Sequence, residues 1–138
     1  MINAISTAIS GLLASSKRVE ASASNIANIS TSGALDSSDG PAPYQAQTTL
    51  QQAVTDTNGN GLGVRANTVP KDPGFVEAFD PNSPFANEDG VIGVPNVNLA
   101  EEAVNLKLAE LTYKANIKVL SVADELSDEL IQSLNKKV

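Results

Sequence analysis

NLAEEAVNLKLAELTYKANIKVLSVADELSDELIQSLNKKV, residues 98–138, reads as one long helix with a defined start. Asn98 can accept hydrogen bonds from the first-turn amides while Glu101 reaches back. This is an Asn variant of the capping box, with acids in the first turn. Beyond the cap, Val104, Leu108, Leu111, Ala115, Val119, Val122 and Leu126 fall on one apolar stripe. Leu106, Ala109, Tyr113, Ile117, Leu120 and Ile131 fall on another, and Lys107, Glu110, Lys114, Lys118, Glu125, Asp128 and Gln132 share a narrow polar strip. A helix packed on one partner needs a single stripe roughly 100° wide. This one is apolar around well over half its circumference, so it should touch at least two neighbours. Asp124 interrupts one stripe. It reads as a solvated edge or a partner for a cation such as Arg18, or as a determinant of which copies meet, and the residues leave these open.

The other end of the chain supplies only one further long helix. Residues 2–29 place Ile2, Ile5, Ala8, Ile9, Leu12, Leu13, Val19, Ala23, Ile26 and Ala27 on one face. Positions 2, 5, 9, 12, 16, 19, 23 and 26 alternate by three and four, a coiled-coil-like seam broken only by Ser16. Gly33, after a polar run, is the expected helix stop. At about 1.5 Å per residue each terminal helix is roughly 40 to 60 Å long, more than the short middle can cover. The second neighbour of the C-terminal helix is therefore most simply another subunit.

Between the ends the chain is poor in helix formers. Residues 34–43, ALDSSDGPAP, read as a connector. Residues 44–54 and 62–66 read as two strands joined by a tight turn at Asn58, Gly59 and Gly61. Asp56 to Gly61 also fits half of a calcium loop, but its twelfth position is Asn67, which cannot supply the bidentate carboxylate, so the hairpin reading is preferred. Five prolines between residues 70 and 95 exclude a helix there and allow only short strands, with Phe75, Val76, Phe79, Phe85, Val91, Ile92 and Val94 as anchors. The fold class is mainly α: long N- and C-terminal helices packed as a coiled-coil-like core, with a small irregular β-rich insertion. The expected divisions are 1–33, 34–97 and 98–138.

Composition narrows the function. A net charge of −7, with nine Lys and Arg scattered over 138 residues, gives no dense phosphate-neutralising track, so nucleic acid is not an expected partner. With no His and no Cys, the commonest general base and the thiolate nucleophile are both absent. Asp80, Glu88 and Asp89 lie among Pro and Gly and read as turn and surface residues. No enzyme, cofactor or metal is expected. The N-terminal stretch has no basic residue before Lys17 and a broken apolar run, which does not fit a cleaved secretory signal, and no segment is apolar enough to insert in a membrane.

Three stretches carry a family resemblance. Residues 23–33, ASNIANISTSG, resemble the Asn-rich signature of the axial proteins of the bacterial flagellum, through Ser24, Asn25, Ala27, Asn28, Thr31 and Gly33. Residues 71–98, with Asp72-Pro73, Asp80-Pro81 and Pro95-Asn96-Val97-Asn98, resemble the central block of a proximal-rod branch of that family. Tyr113 with Lys114, Ala115, Asn116, Ile117, Lys118 and Val119 resembles its C-terminal helix motif. Ala34 stands where many relatives carry an aromatic, Val91 where a Tyr is common and Ala103 where a Met is common.

The resemblance implies a structural rod subunit whose terminal helices pack with copies of itself and with other rod proteins, enclosing an export channel and transmitting torque. It further implies membrane-ring and export-gate proteins as partners at the rod base. The location it implies is periplasmic, reached through the flagellar type III apparatus without signal cleavage, with terminal segments that fold on assembly. The residues expected to carry assembly are Ile5, Ile9, Leu12, Val19, Asn25, Ile26 and Asn28 in the first helix. In the second they are Leu108, Leu111, Tyr113, Ala115, Asn116, Val119 and Val122, with the amides of Asn25 and Asn28 bonding adjacent subunits. Alternatives are another rod component, or a helical-hairpin binding module that does not polymerise.

Overall fold

The computed structural model describes residues 2–36 and 40–136. In chain order it contains α1 (Ile2–Ala27), β1 (Gln47–Thr55), β2 (Gly61–Pro70), β3 (Phe75–Phe79), β4 (Val91–Pro95) and α2 (Leu99–Asn135). Two long terminal helices therefore bracket a β-rich middle of two separate antiparallel pairs. The helices hold 26 and 37 residues of 138, just under half the chain.

α2 starts where its cap places it. The Asn98 side chain accepts from the amides of Ala100 at 3.0 Å and Glu101 at 3.3 Å. The reciprocal half of the expected capping box is not formed, because the Glu101 carboxylate is drawn to Lys71 at 3.2 Å instead. α1 ends at Ala27, six residues before Gly33, where Asn28 donates from Nδ2 to the carbonyl of Ser24 at 2.9 Å and accepts from Thr31 at 3.3 Å.

Gly33 consequently does something other than stop a helix. It exchanges two backbone hydrogen bonds with Gly93 of β4, at 3.0 and 2.9 Å, and a β-carbon on Gly33 would collide with the backbone of Pro41, Ala42 and Pro43. A side chain on Gly93 would strike Pro43 in turn. The pair of glycines lets the chain leaving α1 lie flat against the second sheet. Of the expected 34–43 connector, residues 37–39 lie outside the described residues; on either side of them the amide of Ala34 reaches the carbonyl of Pro41 at 2.9 Å.

The two helices run antiparallel, with Asn25 level with Glu102, Ser15 with Thr112 and Gly11 with Asn116. Carried along both helices, this register sets Ile2 level with about residue 125 of α2. Residues 127–135 therefore project roughly 15 Å past the start of α1.

β1 and β2 form the hairpin expected from the Asn-Gly pair, with Gln47 opposite Pro70 and Val54 opposite Gly63. Its turn is tied by Asp56, whose carboxylate accepts from the amides of Asn58 and Asn60 and from the Asn60 side chain, each at 2.8 Å. These bonds hold the Asp56 carboxyl below its usual pKa, the Asn60 side chain contributing most. The hairpin lies on α1: the Val64 amide donates to Ser10 Oγ at 3.0 Å. Gly63, at φ +122°, sits so close to Ser10 that a β-carbon would overlap its hydroxyl. β3 and β4 pair from Phe75 opposite Pro95 to Phe79 opposite Val91.

Candidate assembly interface

The contact between α1 and α2 is made of small and polar side chains. On α1 the inward positions are Ala8, Gly11, Ser15, Ser22 and Asn25; on α2 they are Glu102, Asn105, Ala109, Thr112, Asn116 and Ala123. Both sets recur by three and four or by their sum, the spacing of one helix face. Ser15 and Thr112 hydroxyls meet at 2.9 Å, and a β-carbon on Gly11 would lie 2.6 Å from the Asn116 amide. Short side chains bring the backbones close, and the large apolar residues are left outside this contact. The coiled-coil-like seam of residues 2, 5, 9, 12, 16, 19, 23 and 26 is not the line along which the two helices of this chain meet.

Asn25 anchors the end of this contact and is 1% exposed. Its Nδ2 donates to the Gln47 carbonyl at 2.8 Å and to Glu102 Oε1 at 2.6 Å. Its Oδ1 accepts from the Gln47 amide at 2.8 Å and from the Tyr44 hydroxyl at 3.1 Å. The expectation that Asn25 bonds an adjacent subunit is therefore corrected: its amide is used up joining α1, β1 and α2 of its own chain. Asn28 likewise serves its own helix end, through the Ser24 and Thr31 bonds, and Asn116 turns towards Gly11 while donating to the Thr112 carbonyl at 2.8 Å. The signal for this node was the presence of amides at the end of the small-residue face, which a search for large apolar residues overlooks.

The large apolar residues lie outside that contact. Leu108, Leu111, Val119 and Val122 are exposed along one flank of α2, Leu111 by 64%, with Ala115 exposed among them. Tyr113 and Ile117 are exposed along the other flank. On α1, Ile9 and Val19 are exposed, and Ile5, Leu12 and Ile26 half-buried. An open apolar groove lined by Ser16, Val19, Ala109, Glu110, Tyr113 and Lys114 connects the α1 stripe with the Tyr113 flank. The molecule thus presents two different apolar faces: the α1 stripe with the Tyr113 flank, and the Leu111 flank beside the β1–β2 hairpin.

The polar strip of α2 lies on the side of the helix away from the α1 contact line, with Glu110 and Lys114 at the rim of that groove. In the strip Glu110 sits between Lys107 at 2.9 Å and Lys114 at 2.5 Å. Hydrogen bonds from Lys114 and then Lys107 lower the Glu110 pKa to about 2. In the overhang the residues that continue the α1-facing line change character, from Ala109, Thr112 and Ala123 to the exposed Leu130 and Leu134. Small residues occur where α1 is present, and leucines follow where it has ended.

Two family models match the chain at its ends. Residues 5–34 match "Flagella basal body rod protein", and residues 88–133 match "Flagellar basal body rod FlgEFG protein C-terminal". The flagellar basal-body rod protein FlgC of Yersinia enterocolitica is 34% identical over 129 residues, covering 91% of this chain and 92% of that protein.

The chain belongs to the FlgC family of flagellar basal-body rod proteins.

FlgC of Salmonella typhimurium is 32% identical over the same shares, and FlgC of Aquifex aeolicus 28% identical over 96% of each chain. Membership in the FlgC family makes this chain a structural subunit of the basal-body rod, assembling with other rod components. It also favours FlgC over other rod components, as the central block implied. Among the described residues no helix is long and apolar enough to cross a membrane.

Proposed function

We propose that this subunit polymerises head to tail in the proximal rod through the two unlike apolar faces of its helical hairpin. The observation that carries this reading is that the helices meet through small residues and keep Leu108, Leu111, Val119 and Val122 outward on one face, with Ile9, Val19, Tyr113 and Ile117 on the other. A pair of unlike faces fits a heterologous contact, which repeats around a ring or along a helix instead of stopping at a dimer. Between subunits, these faces would form the coiled-coil-like core that the sequence suggests.

The β elements attach on the α1 side, so the bulk of the subunit belongs on the outside of a tube. The polar strip of α2 then faces the bore, leaving a wetted channel for exported subunits. Laterally interlocked helices resist shear, and the assembled shaft transmits torque from the membrane ring at its base towards the hook. The subunit reaches the periplasm through the flagellar type III apparatus without signal cleavage and meets ring and export-gate proteins at the rod base. Its helices, paired within the chain, gain further stability as each apolar face is covered.

Leu111→Asp tests the reading in cells lacking the native subunit. Burying a Leu contributes about 1.5–3 kcal/mol at each repeated contact, and a buried unpaired carboxylate costs more. The expected result is loss of rods and motility with the helical content of the purified chain unchanged. Normal motility in the Leu111→Asp strain would overturn the assembly role of this face.

A further inference from the structure

Asp124 and Lys118 are both exposed, and among the described residues neither takes part in an ion pair. Pairing of Asp124 with Arg18 inside the chain is excluded by the register: Arg18 is level with about residue 109 of α2, more than 20 Å along the axis from Asp124. Asp124 lies on the Tyr113 flank, with Asp128 beside it at the margin of the polar strip. Lys118 lies at the opposite margin, next to the Leu111 flank, and its neighbour Val119 belongs to that flank. An unpaired acid thus sits on one apolar face and an unpaired cation borders the other.

We propose that Lys118 of one copy pairs with Asp124, and secondarily Asp128, of the next copy of this chain, fixing the axial stagger between neighbours. The proposal rests on the head-to-tail reading above. For parallel helices, bringing Lys118 level with residues 124–128 displaces neighbouring copies by about 9–15 Å. Unstaggered copies would set Asp124 and Asp128 of one against Glu125 and Glu129 of the other, a repulsive arrangement. With the stagger, Glu125 and Glu129 come level with residues 131–135, which contain no acid. The apolar faces supply most of the adhesion and tolerate sliding; the charge pair selects one position along the slide.

Charge exchange in cells lacking the native subunit tests this. Asp124→Lys and Lys118→Asp are each expected to lower the yield of assembled rods about tenfold or more, since like charges meet at every contact. The double exchange is expected to restore it. Asp124→Asn, which removes the charge without reversing it, should fall between. Single exchanges that leave rod yield unchanged would overturn the pairing, while the head-to-tail reading would still be judged by Leu111→Asp. Harmful single exchanges without rescue in the double variant would also overturn it, pointing to a different rod component as the partner. Rescue of Asp124→Lys by Lys136→Asp in place of Lys118→Asp would overturn the stated direction of the stagger.

Discussion

The line between α1 and α2 and the flanks of the same helices obey opposite rules. Along the internal line the side chains are Ala, Gly, Ser, Thr and Asn, and specificity comes from close approach and satisfied hydrogen bonds. Along the flanks they are mostly Leu, Ile, Val and Tyr, exposed or half-buried, and without hydrogen-bonding groups apart from the tyrosine. Size separates what the chain packs against itself from what, under the proposed assembly, it offers a neighbour. Large apolar side chains bind strongly but with little directional preference, whereas a small-residue contact with an amide node at its end admits one register.

The comparison breaks most severely at Asn25. Asn25→Ala removes four hydrogen bonds and leaves the buried Glu102 carboxylate and both backbone groups of Gln47 unpartnered. The expected cost is about 3 kcal/mol or more, read as a lower midpoint in urea denaturation of the purified chain. A variant as stable as the parent would show that the node contributes nothing to the register.

Overfilling the internal line should cost less. Ala109, fully buried against α1, has no room for a larger group, and Ala109→Leu is expected to destabilise the chain by about 1–3 kcal/mol. The same enlargement at exposed Ala115 should leave its stability within about 0.5 kcal/mol. Equal melting shifts for the two variants would erase the distinction between internal line and flank.

The hairpin allows a smaller test of opposite sign. Thr49 and Thr68 face each other across β1 and β2, and both hydroxyl oxygens are buried without a partner among the described residues. Thr68→Val keeps the shape and removes an unsatisfied group, so it should stabilise the hairpin by about 1 kcal/mol. Thermal melting of the variant against the parent measures it, and a lower melting temperature would mean that the hydroxyl has a partner in solution.

The smallest effect is electrostatic. Glu110 is depressed to about 2 from 4.5 by Lys114 and Lys107. A depressed carboxylate stabilises the fold fully above its unfolded pKa and loses that contribution as pH falls through the folded value. Helicity of α2 should therefore weaken slightly between about pH 4.5 and pH 2, and Lys107→Gln combined with Lys114→Gln should flatten that response in a circular dichroism titration. An unaltered titration would assign the loss to other carboxylates.

Large-residue periodicity made both helices legible from the sequence, and the Asn-Gly pair together with the prolines placed the hairpin and the short strands. The internal line was harder to see. Gly11, Ser15 and Ser22 carry no hydropathy signal, and a wheel that ranks residues by hydrophobicity assigns them to the background, while Ala8 is grouped with the large apolar residues of the stripe. Asn25 read as an amide bonding an adjacent subunit; its burial within its own chain depends on Gln47 and Glu102, which are distant in sequence. Gly33 looked like a helix stop because its partner Gly93 lies sixty residues away.

Because α1 and α2 are antiparallel, the first turn of the chain and the projecting end of α2 lie at the same pole of the subunit, beside the leucines of the overhang. In the proposed shaft, a fluorescent protein or affinity tag fused beyond either helix at this pole would meet the neighbouring copies. The Asp56–Asn60 turn, closed by its own hydrogen bonds and facing solvent, is the place where a label could be inserted and still leave the shaft intact.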